Sequence, residues 1–137
     1  MVFLLIVLSV IALLHIYPKK REPEKELSSL ATDIKVYTSP LWWDLHLYLL
    51  KAKFPEEDFY QYQKTMNFII ADSQLIEKYD FSPSLWIPTI NNTRLPSWWD
   101  PSEDMSNVYY NPVHTKLCKY YLMKYENGCL YYFEFVL

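Results

Sequence analysis

The chain holds one glycine, Gly128, among 137 residues. That scarcity excludes the glycine-rich loops with which Walker-type and dinucleotide-binding folds cradle phosphates. Cysteine is almost as scarce, with only Cys118 and Cys129. They do not form a C-x-x-C, and His15, His46 and His114 do not form an H-E-x-x-H or share any other metal-ligand spacing. The scattered serines include no G-x-S-x-G elbow. We therefore assign no catalytic residue, no metal ligand and no cofactor. Basic residues are outnumbered 16 to 13, and their only run is Lys19-Lys20-Arg21. Without a basic stripe, nucleic acid is not an expected partner.

Charge is wholly missing from one stretch. Residues 1–17 read MVFLLIVLSVIALLHIY, and Pro18-Lys19-Lys20-Arg21 follow at once. At about 1.5 Å per residue a helix of that length covers roughly 25 Å, near the lower limit for crossing a hydrocarbon core of about 30 Å. The expectation is a single-pass transmembrane anchor over 1–17. Ser9 and His15 are its only polar side chains, Tyr17 stands at the interface, and Lys19, Lys20 and Arg21 contact lipid headgroups. A basic leader and a small-x-small cleavage site are both lacking, which favours an uncleaved signal-anchor. Because the basic residues flank only the C-terminal end, the body is expected in the cytoplasm. Residues 18–29, PKKREPEKELSS, read as a charged stalk, and residues 30–137 as one small domain.

Aromatic and apolar side chains are abundant: 51% of residues are hydrophobic and 18% aromatic, enough for a core. Ile34 to Tyr37 alternates as a short strand does. Ser39-Pro40 opens a predicted amphipathic helix over about 40–53, with Trp43, Leu47, Leu50 and Phe54 on one face and Asp44, Tyr48 and Lys51 opposite. Pro55 starts a second helix whose first turn carries Glu56, Glu57 and Asp58, with Phe59, Tyr62, Met66 and Ile69 as its buried stripe. Asp72 or Ser73 caps a third, short helix. Five prolines between 80 and 115 forbid long helices there.

Asn127-Gly128 between two aromatic-rich runs is the strongest local signal and predicts a β-hairpin. With that pair at the turn, Tyr120 faces Phe135 and Leu122 faces Phe133. The side carrying these residues and Tyr131 should pack on the helices. Cys118 then faces Leu137, eight positions along the ladder from Cys129, so both thiols are expected free. Residues 34–37 or 107–110 supply a further strand, since an isolated hairpin is marginal. The predicted class is α+β: an N-terminal transmembrane helix, then two or three amphipathic helices and a small antiparallel sheet built on the C-terminal hairpin.

Pro-x-Trp-Trp-Asp occurs twice, at Pro40–Asp44 and Pro96–Asp100. Its bland reading is that one Trp of each pair fills the core. Its functional reading makes Trp86, Trp98 and Trp99 an anchor for a partner or for the membrane interface. Tyr121, Tyr125 and Tyr132, on the mixed face of the hairpin, complete the candidate surface. These features point to a membrane-anchored, non-enzymatic interaction domain, an accessory subunit whose partners are the lipid bilayer and a protein. Small size and acidic balance also suit an inhibitor or immunity-type binding protein. A membrane-associated enzyme would require His46 or His114 as a base.

Overall fold

A computed structural model describes residues 23–27, 29–40, 46–78, 95–112 and 119–136. Its frame is one six-stranded antiparallel sheet. The strands are β1 (Thr32–Pro40), β2 (His46–Lys53), β3 (Ile69–Ile70), β4 (Val108–Tyr110), β5 (Lys119–Glu126) and β6 (Cys129–Val136), in the spatial order β1-β2-β6-β5-β4-β3. Two α-helices, α1 (Glu56–Thr65) and α2 (Ser73–Lys78), and a 3-10 turn at Pro23–Glu26 complete the described elements.

The hairpin forms as its turn residues dictate. Asn127 and Gly128 both have positive φ, 52° and 74°, the pair of conformations a two-residue type I′ turn requires. The predicted register holds along the whole ladder, from Glu126 opposite Cys129 to Lys119 opposite Val136. Both proposed extra strands, around 34–37 and 107–110, join the sheet as β1 and β4. Helix α1 begins after Pro55 with its three acids in the first turn. Asn67, at φ 58°, ends it in the left-handed conformation that asparagine tolerates. Asp72 caps α2 by accepting a hydrogen bond from the Leu75 backbone N–H at 2.8 Å.

The α+β expectation is corrected, and the largest change is at residues 40–53. Among the described residues no helix forms there: β1 runs to Pro40, and residues 46–53 are β2, paired with β1 on one side and β6 on the other. Residues 41–45, with Trp43 and Asp44, lie outside the described residues. Leu47, Leu49, Leu50 and Ala52 are at most 1% exposed. A strand buried on both faces reads as a continuous apolar run, so the period-2 signal vanishes and a helical stripe can be drawn through the same residues. Helix formation satisfies this segment's own backbone. Strand formation does the same, closes the open edge of β6 and buries both faces, and that larger burial wins. The body is thus mostly sheet. The residues expected to form a transmembrane signal-anchor, 1–17, lie outside the described ones, and among the described residues no helix is long and apolar enough to cross a membrane. The single-pass transmembrane helix is therefore not part of the observed fold.

Each face of the sheet carries its own core. On one, Leu47, Leu49, Leu122, Tyr131, Phe133 and Phe135 lie beneath residues 95–105 and α2. On the other, Leu50, Ala52, Met123, Leu130 and Tyr132 meet Phe59 and Tyr62 of α1, Met66 and Phe68. The longer helix therefore covers the mixed face of the hairpin, opposite to expectation, and a proline-bounded loop covers the apolar one. We call these the helix face and the loop face. Residues 23–27, read from sequence as stalk, pack on the helix face. Pro23 is buried, its carbonyl accepts a hydrogen bond from the Tyr62 hydroxyl at 3.0 Å, and Glu24 accepts one from the Tyr48 hydroxyl.

Leu49 and Leu50 distinguish strand from helix. Each is fully buried, in a different core. Leu49→Ala and Leu50→Ala should each destabilise the fold by about 2–5 kcal/mol in urea unfolding. A helix with the Leu47–Leu50–Phe54 stripe would make only the second costly.

Candidate functional site

The second Pro-x-Trp-Trp-Asp stretch is placed by one cross-strand row on the loop face. Tyr131 of β6 is flanked by Lys51 of β2 and Lys124 of β5, its register partners on either side. Both ammonium groups hold the loop above them. Lys51 Nζ is 2.5 Å from Asp100 Oδ1, donates to the Trp98 carbonyl at 3.3 Å, and lies 5.0 Å from the Tyr131 ring centre. The Tyr131 hydroxyl donates to the same Asp100 oxygen at 2.8 Å. Lys124 is 1% exposed. It donates to the carbonyls of Ser102 and Asp104 at 2.9 and 2.6 Å and to Ser102 Oγ at 2.6 Å, and it pairs with Glu126 at 3.0 Å. Glu126 in turn accepts from the Ser102 N–H and hydroxyl, both at 2.6 Å. A buried ammonium is tolerated because every donor finds an oxygen.

Protonation follows this geometry. The Lys51 hydrogen bond holds the Asp100 carboxyl below its usual range, helped by Tyr131 and opposed by slight burial. Burial alone would raise Glu126, but its hydrogen bonds from Ser102 and the nearby Lys124 outweigh that and lower it. Burial pushes the Tyr131 phenol up to about 12. The row is built to pin a loop.

The aromatic residues singled out from sequence are divided by the fold. Trp99 is 7% exposed and meets the Tyr131 ring edge-on at 5.5 Å, so it belongs to the core. Trp98 is half-buried against Trp99. Trp86 lies outside the described residues, as do Lys19, Lys20 and Arg21. Tyr132, 2% exposed, is sealed under the helix face and cannot meet a partner. Tyr125 is stacked on Phe59 at 4.9 Å and donates its hydroxyl to the Phe54 carbonyl at 2.8 Å. Tyr121 is half-buried, its phenol raised to about 12 by burial and by Glu134. These three tyrosines therefore do not form one open surface: α1 and its flanks cover the mixed face, which sequence left uncovered. Of the thiols, Cys129 is buried and free; Cys118, His15 and His114 lie outside the described residues.

Sequence reasoning missed two other features. One is the apolar border of the sheet. Leu30, Ile34 and Val36 are 60%, 47% and 44% exposed, and β1, which carries the last two, is an edge strand that among the described residues pairs only with β2. Its alternating pattern signalled a strand but not an edge. The other is a hollow of about 110 Å³ on the helix face, lined by Glu56, Phe59, Tyr60, Asn107, Tyr109 and Tyr125. Lys124 itself was foreseeable, because it shares strand parity with Leu122 on the face read as apolar.

Removing the ammonium should cost stability. Lys124→Met leaves the Glu126 carboxylate without its counter-ion and two loop carbonyls without this donor, and should destabilise by about 2–4 kcal/mol, between exposed and fully buried pairs. Adding Glu126→Leu should recover part of that loss in a double-mutant cycle measured by urea unfolding. Acid should loosen the same loop. Asp100 and Glu126 titrate lower in the folded state, so their stabilisation is complete above the unfolded values of about 4 and is lost as pH falls through the folded ones. The emission of Trp98 and Trp99 should shift in that range, and Asp100→Asn with Glu126→Gln should flatten the shift.

Comparison with protein-family models, with curated proteins and with solved structures yields no match to this chain.

Proposed function

We propose that this chain is a non-enzymatic protein-interaction module, an accessory subunit that works beside a membrane and binds its partner through the edge strand β1. The observation that carries this reading is the apolar edge itself. Both faces of the sheet are covered, yet Ile34 and Val36 stand exposed on a nine-residue border strand, with Leu30 just before it. An edge strand leaves one side of its backbone ladder unpaired, and an extended segment of another protein satisfies it by adding a strand. Apolar side chains beside that ladder provide the burial that main-chain hydrogen bonds alone do not. The register shift near Asp33, whose φ is 50°, bends one end of the strand and leaves residues 35–40 as the regular stretch for pairing.

The membrane location rests on the charge-free composition of residues 1–17 and the basic run after it. It places the module near its partner and contributes nothing to how the edge recognises one.

Full-length protein purified in mild detergent should retain a stoichiometric protein partner. Ile34→Lys with Val36→Lys should abolish it while leaving the urea midpoint nearly unchanged, since surface substitutions usually stay within about 0.5 kcal/mol. A partner retained at full stoichiometry by the double variant would exclude the edge.

A further inference from the structure

The hollow on the helix face lies at the far side of the sheet from β1, between α1 and strands β4 and β5. Its walls are rings. Phe59 is stacked on Tyr125 at 4.9 Å and meets Tyr109 and Tyr60 edge-on at 5.3 and 5.6 Å. Tyr60 is 45% exposed and donates its hydroxyl to Glu56 Oε1 at 3.0 Å, and both residues line the hollow. Glu56 also raises the Tyr109 and Tyr125 phenols, second to burial in each, so its field reaches both walls. Among the described residues, no lysine, arginine or histidine lines the hollow.

Electron-rich ring faces around a carboxylate attract cations. The positive end of α1 opposes this with about half a charge, but Glu56, Glu57 and Asp58 occupy its first turn and outweigh it. Size narrows the occupant. Cavities of about 150 Å³ take up benzene, so 110 Å³ admits one small cationic head and no extended ligand. Hydrogen bonding narrows it again. A carboxylate has acceptor capacity beyond the single bond from Tyr60. A quaternary ammonium has no proton to donate to it, whereas a guanidinium is planar, stacks on tyrosine and donates through a fixed fork. Ile70, the register partner of Tyr109, is 53% exposed and extends an apolar rim for the rest of a polypeptide. We propose that this hollow is a docking pocket for an arginine side chain of a protein partner, with Glu56 as the acceptor and Tyr60, Tyr109 and Tyr125 as the walls.

The test uses the full chain in a maltoside detergent, with backbone amide spectra recorded during titration. The probes are N-acetyl-arginine methylamide, its uncharged citrulline counterpart and tetramethylammonium. The arginine probe should shift the amides of Tyr60, Asn107 and Tyr109 saturably, in the millimolar range expected for one exposed cation–aromatic contact. The citrulline probe should bind at least tenfold more weakly. Glu56→Gln should weaken the arginine probe by about tenfold and Tyr60→Leu by a smaller factor; both positions are exposed, so signals from β2 and β6 should not move. Absence of saturable shifts, equal binding of arginine and citrulline, or an unaffected Glu56→Gln protein would overturn the proposal. Tighter binding of tetramethylammonium would overturn it in favour of a choline-type headgroup. None of these outcomes bears on the β1 edge, which its own lysine substitutions test.

Discussion

The pairing of β2 with β6 is the constraint on which the rest of the molecule depends. It joins residues 46–53 to residues 129–136 across most of the chain length. Without it, the hairpin would keep a free apolar edge on β6, and β1 would have no route into the sheet. With it, Leu49 lies against Phe133 and Leu50 against Tyr132, which seeds one core on each face. It also brings Lys51 beside Tyr131, and so supplies half of the row that holds the Trp98-Trp99-Asp100 loop. A pairing this distant in sequence carries a large loop-closure cost before its contacts form, and the double burial of β2 is what offsets it.

The two faces are covered by different means. An amphipathic helix covers one, through Phe59 and Tyr62. A loop rich in proline covers the other, and a loop cannot satisfy its own backbone as a helix does. Its carbonyls at Trp98, Ser102 and Asp104 are met instead by two lysines that rise from the sheet. This explains a buried ammonium in a core whose other members are nearly all apolar. It also explains why the aspartate of the Trp-Trp-Asp stretch, though 60% exposed, is engaged by Lys51 and the Tyr131 hydroxyl. What remains for function is the border of the sheet: the apolar edge at β1 and the ringed hollow near β4.

Much of the local structure was legible. Asn127-Gly128 forces positive φ on two consecutive residues, and only one register satisfies that turn. Pro55 followed by three acids announces a helix start whatever packs on it. The predicted helix over 40–53 failed because Leu47, Leu49 and Leu50 are buried on both sides, so the spacing carried no information about which face mattered. The tyrosine surface failed for a related reason. Alternation along β5 and β6 shows which residues share a face but not what covers that face: Tyr132 is sealed under the helix face, and Tyr125 is partly covered by Phe59 of α1.

By itself, then, the sequence determined the turn, the hairpin register, the parity of the hairpin residues and the start of α1, because each depends on neighbours within a few positions; it ran the buried stripe of α1 on to Ile69, which lies in β3 and is 45% exposed. Tertiary structure alone decided the partner of β6, the face chosen by the helix, the burial of Lys124 and the exposure of Ile34 and Val36. Those outcomes depend on which distant segments compete for the same apolar surface, and that competition is settled by total burial rather than by local preference.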